Sequence, residues 1–534
     1  MTNMHCPDTI GLDSNQDGRS VVARRAPGRR DDVDSPILSI DELSFRFPAL
    51  EGSQGIPVLE GLSLAVPRSG RNAPSAPGGS ILFGRADSGK TTLARIVSGL
   101  VPRFTGGSLG GKVLIDGRDI RPVPPYELMQ SVGLVSQDSD EQLLTTRCDT
   151  EVAFALESLG VPRRQMRERV SESLQKVGLP DFAARNPATL SGGEKKRLLV
   201  ACLDALRPSL WIVDEALGEL DIEWKTRVLD IIAGAGGTFL LMESRWSSLA
   251  ASRGTSFFLL DQGRIRAGST DPRERAFLAA LMDAGIRQGS PRESRRPAND
   301  GFLRAEGLHF RFDGTGDFAL GIDMLELHFG ETCALVGRNG SGKSTLGKIL
   351  CGLLRPQAGT IGIGGKWGYK KLSADELCTK VGYLFQNPDH QIYLPSVREE
   401  LSLGLRRQRV ERREIEARAE EAARIFELPD LAAPPALLSY GARRRLQAAT
   451  FFLLSRDLLI LDEIDSGLSY REVESLIDAL ASRVPGIVLI THDMALAKAA
   501  CDRILVMDEG RVTGDARRGR FESLEGAGGQ AVLK

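Results

Sequence analysis

The stretch Cys333-Ala-Leu-Val-Gly337-Arg-Asn339-Gly340-Ser341-Gly342-Lys343-Ser344-Thr345 decides the fold. An apolar run ends in a glycine-rich loop, and the loop opens onto a helical segment, Thr345–Leu354. That strand–loop–helix context separates a phosphate-binding loop from a chance glycine match. Glycines let backbone N–H groups approach an anion, and a helix N-terminus favours negative charge. In this motif Lys343 reaches the β- and γ-phosphates and Ser344 ligates Mg²⁺.

Working outward, the same text occurs earlier. Ile81-Leu-Phe leads into Gly84-Arg-Ala-Asp87-Ser88-Gly89-Lys90-Thr91, and a helical segment runs on from Thr92 to Leu100. Further matched pairs lie downstream: Leu190-Ser191-Gly192-Gly193-Glu194 with Leu438-Ser439-Tyr440-Gly441-Ala442, and Trp211-Ile-Val-Asp214-Glu215 with Leu459-Ile-Leu-Asp462-Glu463. The lysines lie 253 residues apart, the signature serines 248 and the aspartates 248. A period near 250 residues is a duplicated domain, far longer than a solenoid unit.

At 534 residues the chain has room for two to four domains, and the repeat selects two. The first is expected over 37–283 and the second over 302–513. Residues 1–36 read as a disordered leader, 284–301 as a linker and 514–534 as a polar tail. Ile37–Phe47 alternates like an edge strand. Arg164–Val177 and Arg406–Phe426 read as charged helices, and Arg68–Gly79, which has no counterpart in the second half, as a surface loop. An apolar content of 42% and a charged content of 26% are those of an ordinary soluble globular protein. Net charge −1 supplies no basic footprint for nucleic acid. No apolar run approaches the ~20 residues of a spanning helix. Met1–Ser35 lacks the apolar core of a secretory signal. Seven cysteines without CxxC spacing indicate neither a zinc site nor a disulfide framework, and a cytosolic compartment is expected.

In this order and twice over, these elements resemble the ABC ATPase superfamily. The resemblance implies an α/β fold of two tandem P-loop domains, each with a mixed-sheet core, an antiparallel edge and a helical subdomain. ATP and Mg²⁺ are the implied ligands. Asp214 and Asp462 match the carboxylate that holds the metal's water shell. Glu215 and Glu463 match the residue that orients or deprotonates attacking water. Gln137 and Gln386 match the glutamine that senses Mg²⁺ and the γ-phosphate, and His492 the switch histidine. Phe47 and Phe312 sit where the family stacks a ring on adenine, a position that core packing explains equally well.

The family pairs its cassettes head-to-tail, which implies an intramolecular pseudo-dimer with each nucleotide between one P-loop and the other domain's signature. Site one then combines the first P-loop with Ser439 and Gly441, and site two the second P-loop with Ser191, Gly192 and Gly193. Four departures fall on site one. Asp87 replaces Gly340, Tyr440 replaces a signature glycine, Glu243 stands in register with His492, and Ser469 stands where the other copy has Asp221. Neutral drift explains any one of them; convergence on one interface argues for a degenerate site one and a competent site two.

The text Gln386-Asn-Pro-Asp389-His-Gln391, kept in outline as Gln137-Asp-Ser-Asp140-Glu-Gln142, is similar to the energy-coupling-factor ATPases of vitamin and metal importers, including the cobalt and nickel systems. That similarity implies a peripheral protein on the cytoplasmic face of the membrane. Its partners would be a transmembrane coupling subunit and a substrate-binding membrane subunit. Asp138, Asp140, Asp389 and Glu399 are expected to form an acidic rim for basic coupling helices, although acids on exposed loops are often merely solvated. Three other classes compete: the ATPase of another importer, such as one for sugars; a soluble tandem protein acting on ribosomes; and a DNA-repair protein, which would carry inserted zinc modules or coiled coils that this sequence lacks. The first lacks the Gln-Asn-Pro-Asp-x-Gln run, and the second carries a long charged helical linker, whereas Gln288–Asn299 is short and contains proline.

Overall fold

The structure, a computed structural model, describes residues 35–48, 55–68, 78–218, 220, 222–288, 301–312, 318–366 and 368–525. Most of the expected leader, linker and 68–79 loop, the end of the tail, and Asp221 lie outside the described residues.

Each half holds two sheets. In the first half the strands are β1 (Leu38–Arg46), β2 (Pro57–Val66), β3 (Gly79–Gly84), β4 (Ser108–Ile115), β5 (Arg118–Asp119), β6 (Val132–Val135), β7 (Leu210–Asp214), β8 (Thr238–Glu243), β9 (Ser256–Asp261) and β10 (Arg264–Ser269). The second half repeats them as β11 (Phe302–Arg311), β12 (Ala319–His328), β13 (Thr332–Val336), β14 (Ala358–Gly365), β15 (Gly368–Lys371), β16 (Val381–Leu384), β17 (Leu458–Asp462), β18 (Gly486–Ile490), β19 (Arg503–Asp508) and β20 (Arg511–Arg517). Strand order β10-β9-β3-β8-β7-β6 in one six-stranded sheet matches β20-β19-β13-β18-β17-β16 in the other. The smaller sheets, β2-β1-β4-β5 and β12-β11-β14-β15, are antiparallel. The expected mixed core with an antiparallel partner is therefore present in both halves.

Strands β7, β13, β17 and β18 are buried at every residue, which is why they read as continuous apolar runs rather than alternating ones. Helices cover them: Phe239, Trp211 and Leu241 face one apolar cluster, while Leu240 and Ile212 face another on the opposite side. In such sheets ligands bind at the carboxyl ends of the parallel strands. Here those ends carry the glycine loops, Asp214-Glu215 and Asp462-Glu463.

Several expectations need correction. β1 is interior, paired to β2 and β4, because alternation reports one-sided burial and not the number of neighbours. Arg406–Phe426 is two helices, Val397–Arg407 and Arg412–Ile425, broken where Arg409 takes φ 60°. The second domain runs past 513: β20 ends at Arg517, and Phe521 and Leu524 are buried in its core. Residues 514–525 are thus not a polar tail. The first domain likewise extends past 283, since Ala284 and Ile286 are buried against its helices.

Candidate active site

Both glycine loops keep one shape. The helices Lys90–Val97 and Lys343–Leu350 start after Gly89 at φ 104° and Gly342 at φ 98°, a left-handed region that only glycine enters cheaply. Asp87 also lies there, at φ 63°, over its counterpart Gly340 at φ 80°. Aspartate tolerates this region better than most residues, so the substitution changes charge without reshaping the loop. Glu215 and Glu463 share a second irregularity, φ 53° and 47°, directly after their strands. Such strain, of order 1–3 kcal/mol, persists where the surroundings impose it and clusters at active sites.

The side-chain contacts at the two sites differ. At site two a cavity of about 850 Å³ lies between the halves, with Ser191, Gly192 and Gly193 on one wall. The other wall holds Phe312, Asn339, Gly340, Gly342, Lys343, Ser344, Thr345, Gln386 and Glu463. Most residues expected at site two are thus brought together around one space of ligand size. Phe312 is half-exposed into it and packs edge-on against Phe310, centroids 4.8 Å apart. Glu463 Oε2 accepts from Gln386 Nε2 at 2.8 Å, and its Oε1 lies 3.9 Å from His492 Nδ1. Lys343 Nζ donates to the carbonyls of Gly337 and Arg338 at 2.8 and 2.9 Å. Burial holds its ammonium below the ordinary lysine range, against the pull of Glu463 and Asp462.

At site one Lys90 Nζ makes the matching bonds, to the carbonyls of Gly84 and Arg85 at 2.6 and 2.8 Å, and further side-chain contacts are added. Lys90 Nζ lies 3.2 Å from Glu215 Oε1, and Ser244 Oγ donates to Glu215 Oε2 at 3.1 Å. Across the interface Arg445 Nη2 donates to Asp87 Oδ2 at 2.9 Å. A Cβ on Gly441 would stand 2.6 Å from the Ala86 Cβ, and one on Gly467 would stand 2.3 Å from Gln137 Nε2. Nothing larger than glycine fits at the first of these contacts without displacing the loop. Arg197, the counterpart of Arg445, instead stacks on Trp224 at 4.2 Å beside the site-two cavity, where Gly340 offers no carboxylate. Phe47 is partly buried and packs edge-on against Phe45 at 4.9 Å.

The carboxylates at the strand ends also differ. Asp462 Oδ1 accepts from Ser344 Oγ at 3.0 Å, and Tyr383 donates to its other oxygen. Asp214 is buried with neither oxygen in a well-formed hydrogen bond, and the residue matching Tyr383 is Leu134. Burial pushes the Asp214 carboxyl up to about 6, against the pull of the Thr91 hydroxyl. Burial, reinforced by the Glu215 carboxylate, likewise holds Glu243 above the ordinary glutamate range.

Two expected features are placed elsewhere. Tyr440 turns into its own domain: its hydroxyl donates to the Gln386 carbonyl at 3.3 Å and accepts from Arg444 at 2.7 Å. Two of the four acids of the expected rim are paired internally, Asp140 with Lys195 at 2.6 Å and Asp389 with Arg443 at 2.7 Å. Ser469 N-caps the helix Tyr470–Ala481 in a capping box with Glu472.

Some working residues are given no task of their own by the sequence reading. Gln142 and Gln391 clasp their own loops, each accepting from the backbone N–H of Ser136 or Phe385 and donating to the carbonyl of Leu134 or Tyr383. Buried Glu151 and Glu400 accept two backbone N–H groups each from the segments just before their own helices. Buried Lys196 and Arg444 donate to carbonyls of the Gln137 and Gln386 loops. A constant offset of 248 or 249 between members of each pair is the signal that could have found them.

The family model described as ABC transporter matches residues 79–218 and 322–466. Among curated proteins, one from Enterococcus faecalis is 30% identical over 527 residues, covering 90% of each chain. Another from Methanosarcina mazei is 30% identical over 509 residues, covering 84% of this chain and 86% of its own. Both are provisionally named ABC transporter ATP-binding proteins. Among solved structures, CbiO1 from Clostridium perfringens, described as part of the ABC transporter complex CbiONQ, is 27% identical. It covers 43% of this chain and 97% of its own, with a TM-score of 0.37. The matched segments contain both glycine loops, both signatures and both strand-end acid pairs, and the chain belongs to the ABC transporter family as an ATP-hydrolysing protein with two ABC domains.

Proposed function

We propose that this chain is the tandem ATPase of an energy-coupling-factor importer for a vitamin, vitamin precursor or transition metal ion. It works from the cytoplasmic face of the membrane, with hydrolysis carried by site two. The observation that carries the asymmetry is the pairing of Lys90 with Glu215, and of Asp87 with Arg445, where site two has an 850 Å³ cavity bordered by Lys343 and Glu463. At site two Lys343 and the loop N–H groups hold the phosphates, and Ser439's counterpart Ser191 faces them from the first domain. Glu463, held by Gln386, orients or deprotonates the attacking water, and His492 stands close to it. Ser344 and Asp462 would hold Mg²⁺, which neutralises phosphate charge when bound; hard oxygen donors suit that ion. At site one the corresponding positions are Thr91 and Asp214, whose buried, poorly satisfied carboxylate suits a cation too. ATP binding there would compete with Glu215 for Lys90.

The importer class is supported by the Gln391 and Gln142 clasps, which give the Gln-Asn-Pro-Asp-x-Gln text a structural task. Leu144 and Tyr393, in register after those glutamines, are 71% and 72% exposed, an apolar pair suited to a membrane subunit's coupling helices. Among the described residues no helix is long and apolar enough to cross a membrane, so the transmembrane path would belong to other chains. The test is tagged full-length protein recovered from native membranes, with co-purifying chains identified by mass spectrometry. Integral membrane subunits are expected. Recovery with ribosomes and without membrane proteins would remove the importer reading.

A further inference from the structure

The segment Glu243-Ser244-Arg245 replaces the switch text His492-Asp493-Met494 in register, and its last residue reaches across the domain interface. Arg245 Nη1 donates to Asp465 Oδ2 at 2.8 Å and to Asp493 Oδ2 at 2.9 Å. The guanidinium is 12% exposed, Asp465 1% and Asp493 18%, so this triad is mostly shielded from water. Burial works against its charge, and the two aspartates outweigh that penalty and keep the arginine protonated.

Both aspartates flank the expected site-two switch. Asp493 directly follows His492 and caps the next helix by accepting from Leu496 N at 3.0 Å. Asp465 accepts from Thr491 Oγ1, directly before His492, at 3.1 Å. One guanidinium from the first domain therefore ties down the residues on both sides of His492 in the second. The pseudo-symmetric positions are Met494 for Arg245 and Leu217 for Asp465, neither of which can make this bridge. Among the described residues the device exists on one side only.

We infer that Arg245 is a positioning residue for site two, setting His492 over the reacting phosphate through Asp465 and Asp493 when the two domains are docked. The inference rests on the reading that site two carries hydrolysis. It gives the degenerate switch segment of site one a task in the opposite site. Arg245 does not line the site-two cavity, and its effect falls on turnover rather than on ATP affinity.

The experiment is steady-state ATPase of the full chain with Arg245→Met, Arg245→Lys and the double variant Arg245→Met/Asp465→Leu. The double variant installs the apolar pair of the pseudo-symmetric positions and leaves no buried aspartate unpaired at 465. In both methionine variants kcat should fall between about 10- and 100-fold, as small misplacements of a reacting group do, with KM for ATP held within about twofold. Arg245→Lys, which keeps the charge, should recover much of the loss. The inference is overturned if the double variant turns over at the wild-type rate. It is also overturned if KM rises in step with the fall in kcat, or if lysine does no better than methionine. Glu463→Gln separates the two readings. Intact turnover in that variant removes the site-two assignment and this inference with it, whereas lost turnover there beside wild-type turnover in the double variant removes this inference alone.

Discussion

Asp87 in the first phosphate loop and Arg445 in the second signature helix form an ion pair at 2.9 Å, joining residues 358 apart in sequence across the interface. Read from sequence alone, Asp87 is an uncompensated negative charge beside phosphates. The structure gives that charge a cation, and the pair joins the second signature helix to the first phosphate loop.

Asp87→Gly should therefore raise the affinity of the weaker of the two ATP sites. The glycine restores the residue found at Gly340 and frees Arg445, while the φ of 63° remains accessible to it. The pair is 39% and 19% exposed, so its loss should cost stability below about 1 kcal/mol. Equilibrium dialysis with a non-hydrolysable ATP analogue reads the outcome, and an unchanged second affinity would show that the pair does not compete with nucleotide.

Lys196 should be a stability residue rather than a catalytic one. Its side chain is 1% exposed and donates to the carbonyls of Ser136 and Gln137. Lys196→Met keeps much of the apolar stem and leaves those carbonyls without their donor, a loss of about 1–3 kcal/mol. Thermal unfolding should show the lowered Tm. A Tm equal to wild type would mean that the loop finds other donors.

The phosphate loops, the strand-end acids and the duplication were legible because local chemistry dictates them. A loop that cradles an anion needs glycine at Gly89 and Gly342 whatever lies around it. Buried parallel strands such as Leu458–Asp462 must be apolar throughout. Arg245, Arg445 and Ser244 were not legible, since their partners are fixed by how two domains meet rather than by neighbours in sequence. Residues 514–525 misled for a third reason. The strand Arg511–Arg517 exposes alternate polar side chains, and two buried residues, Phe521 and Leu524, are enough to anchor the short segment beyond it.

Leu144→Asp combined with Tyr393→Asp should release the chain from its membrane partner without lowering basal ATPase. Both side chains are more than two-thirds exposed and neither lines the site-two cavity. Their backbones are pinned by Glu151 and Glu400, so charge can be added without melting the segments. A desolvated carboxylate at an apolar contact is costly, and co-purification should drop sharply. Retained membrane subunits would place the docking surface elsewhere.

The sharpest comparison is between Glu463→Gln and Glu215→Gln in the assembled transporter. Glutamine keeps the size and one acceptor of the carboxylate but cannot take a proton, and loss of a general base costs ~10²–10⁴ in rate. Glu463 is positioned by Gln386 at 2.8 Å beside a cavity that also contains Lys343, so its replacement should remove most turnover. Glu215 is held by Lys90 and Ser244, with Glu243 in place of a switch histidine, and its replacement should lower turnover only modestly. ATP binding should survive in both variants, because neither change touches the loop N–H groups. Steady-state ATPase with parallel nucleotide binding reads the difference. Equal losses in the two variants would mean that the sites fire as a coupled pair, and the pairing of Lys90 with Glu215 would then be a resting contact shared by an active site.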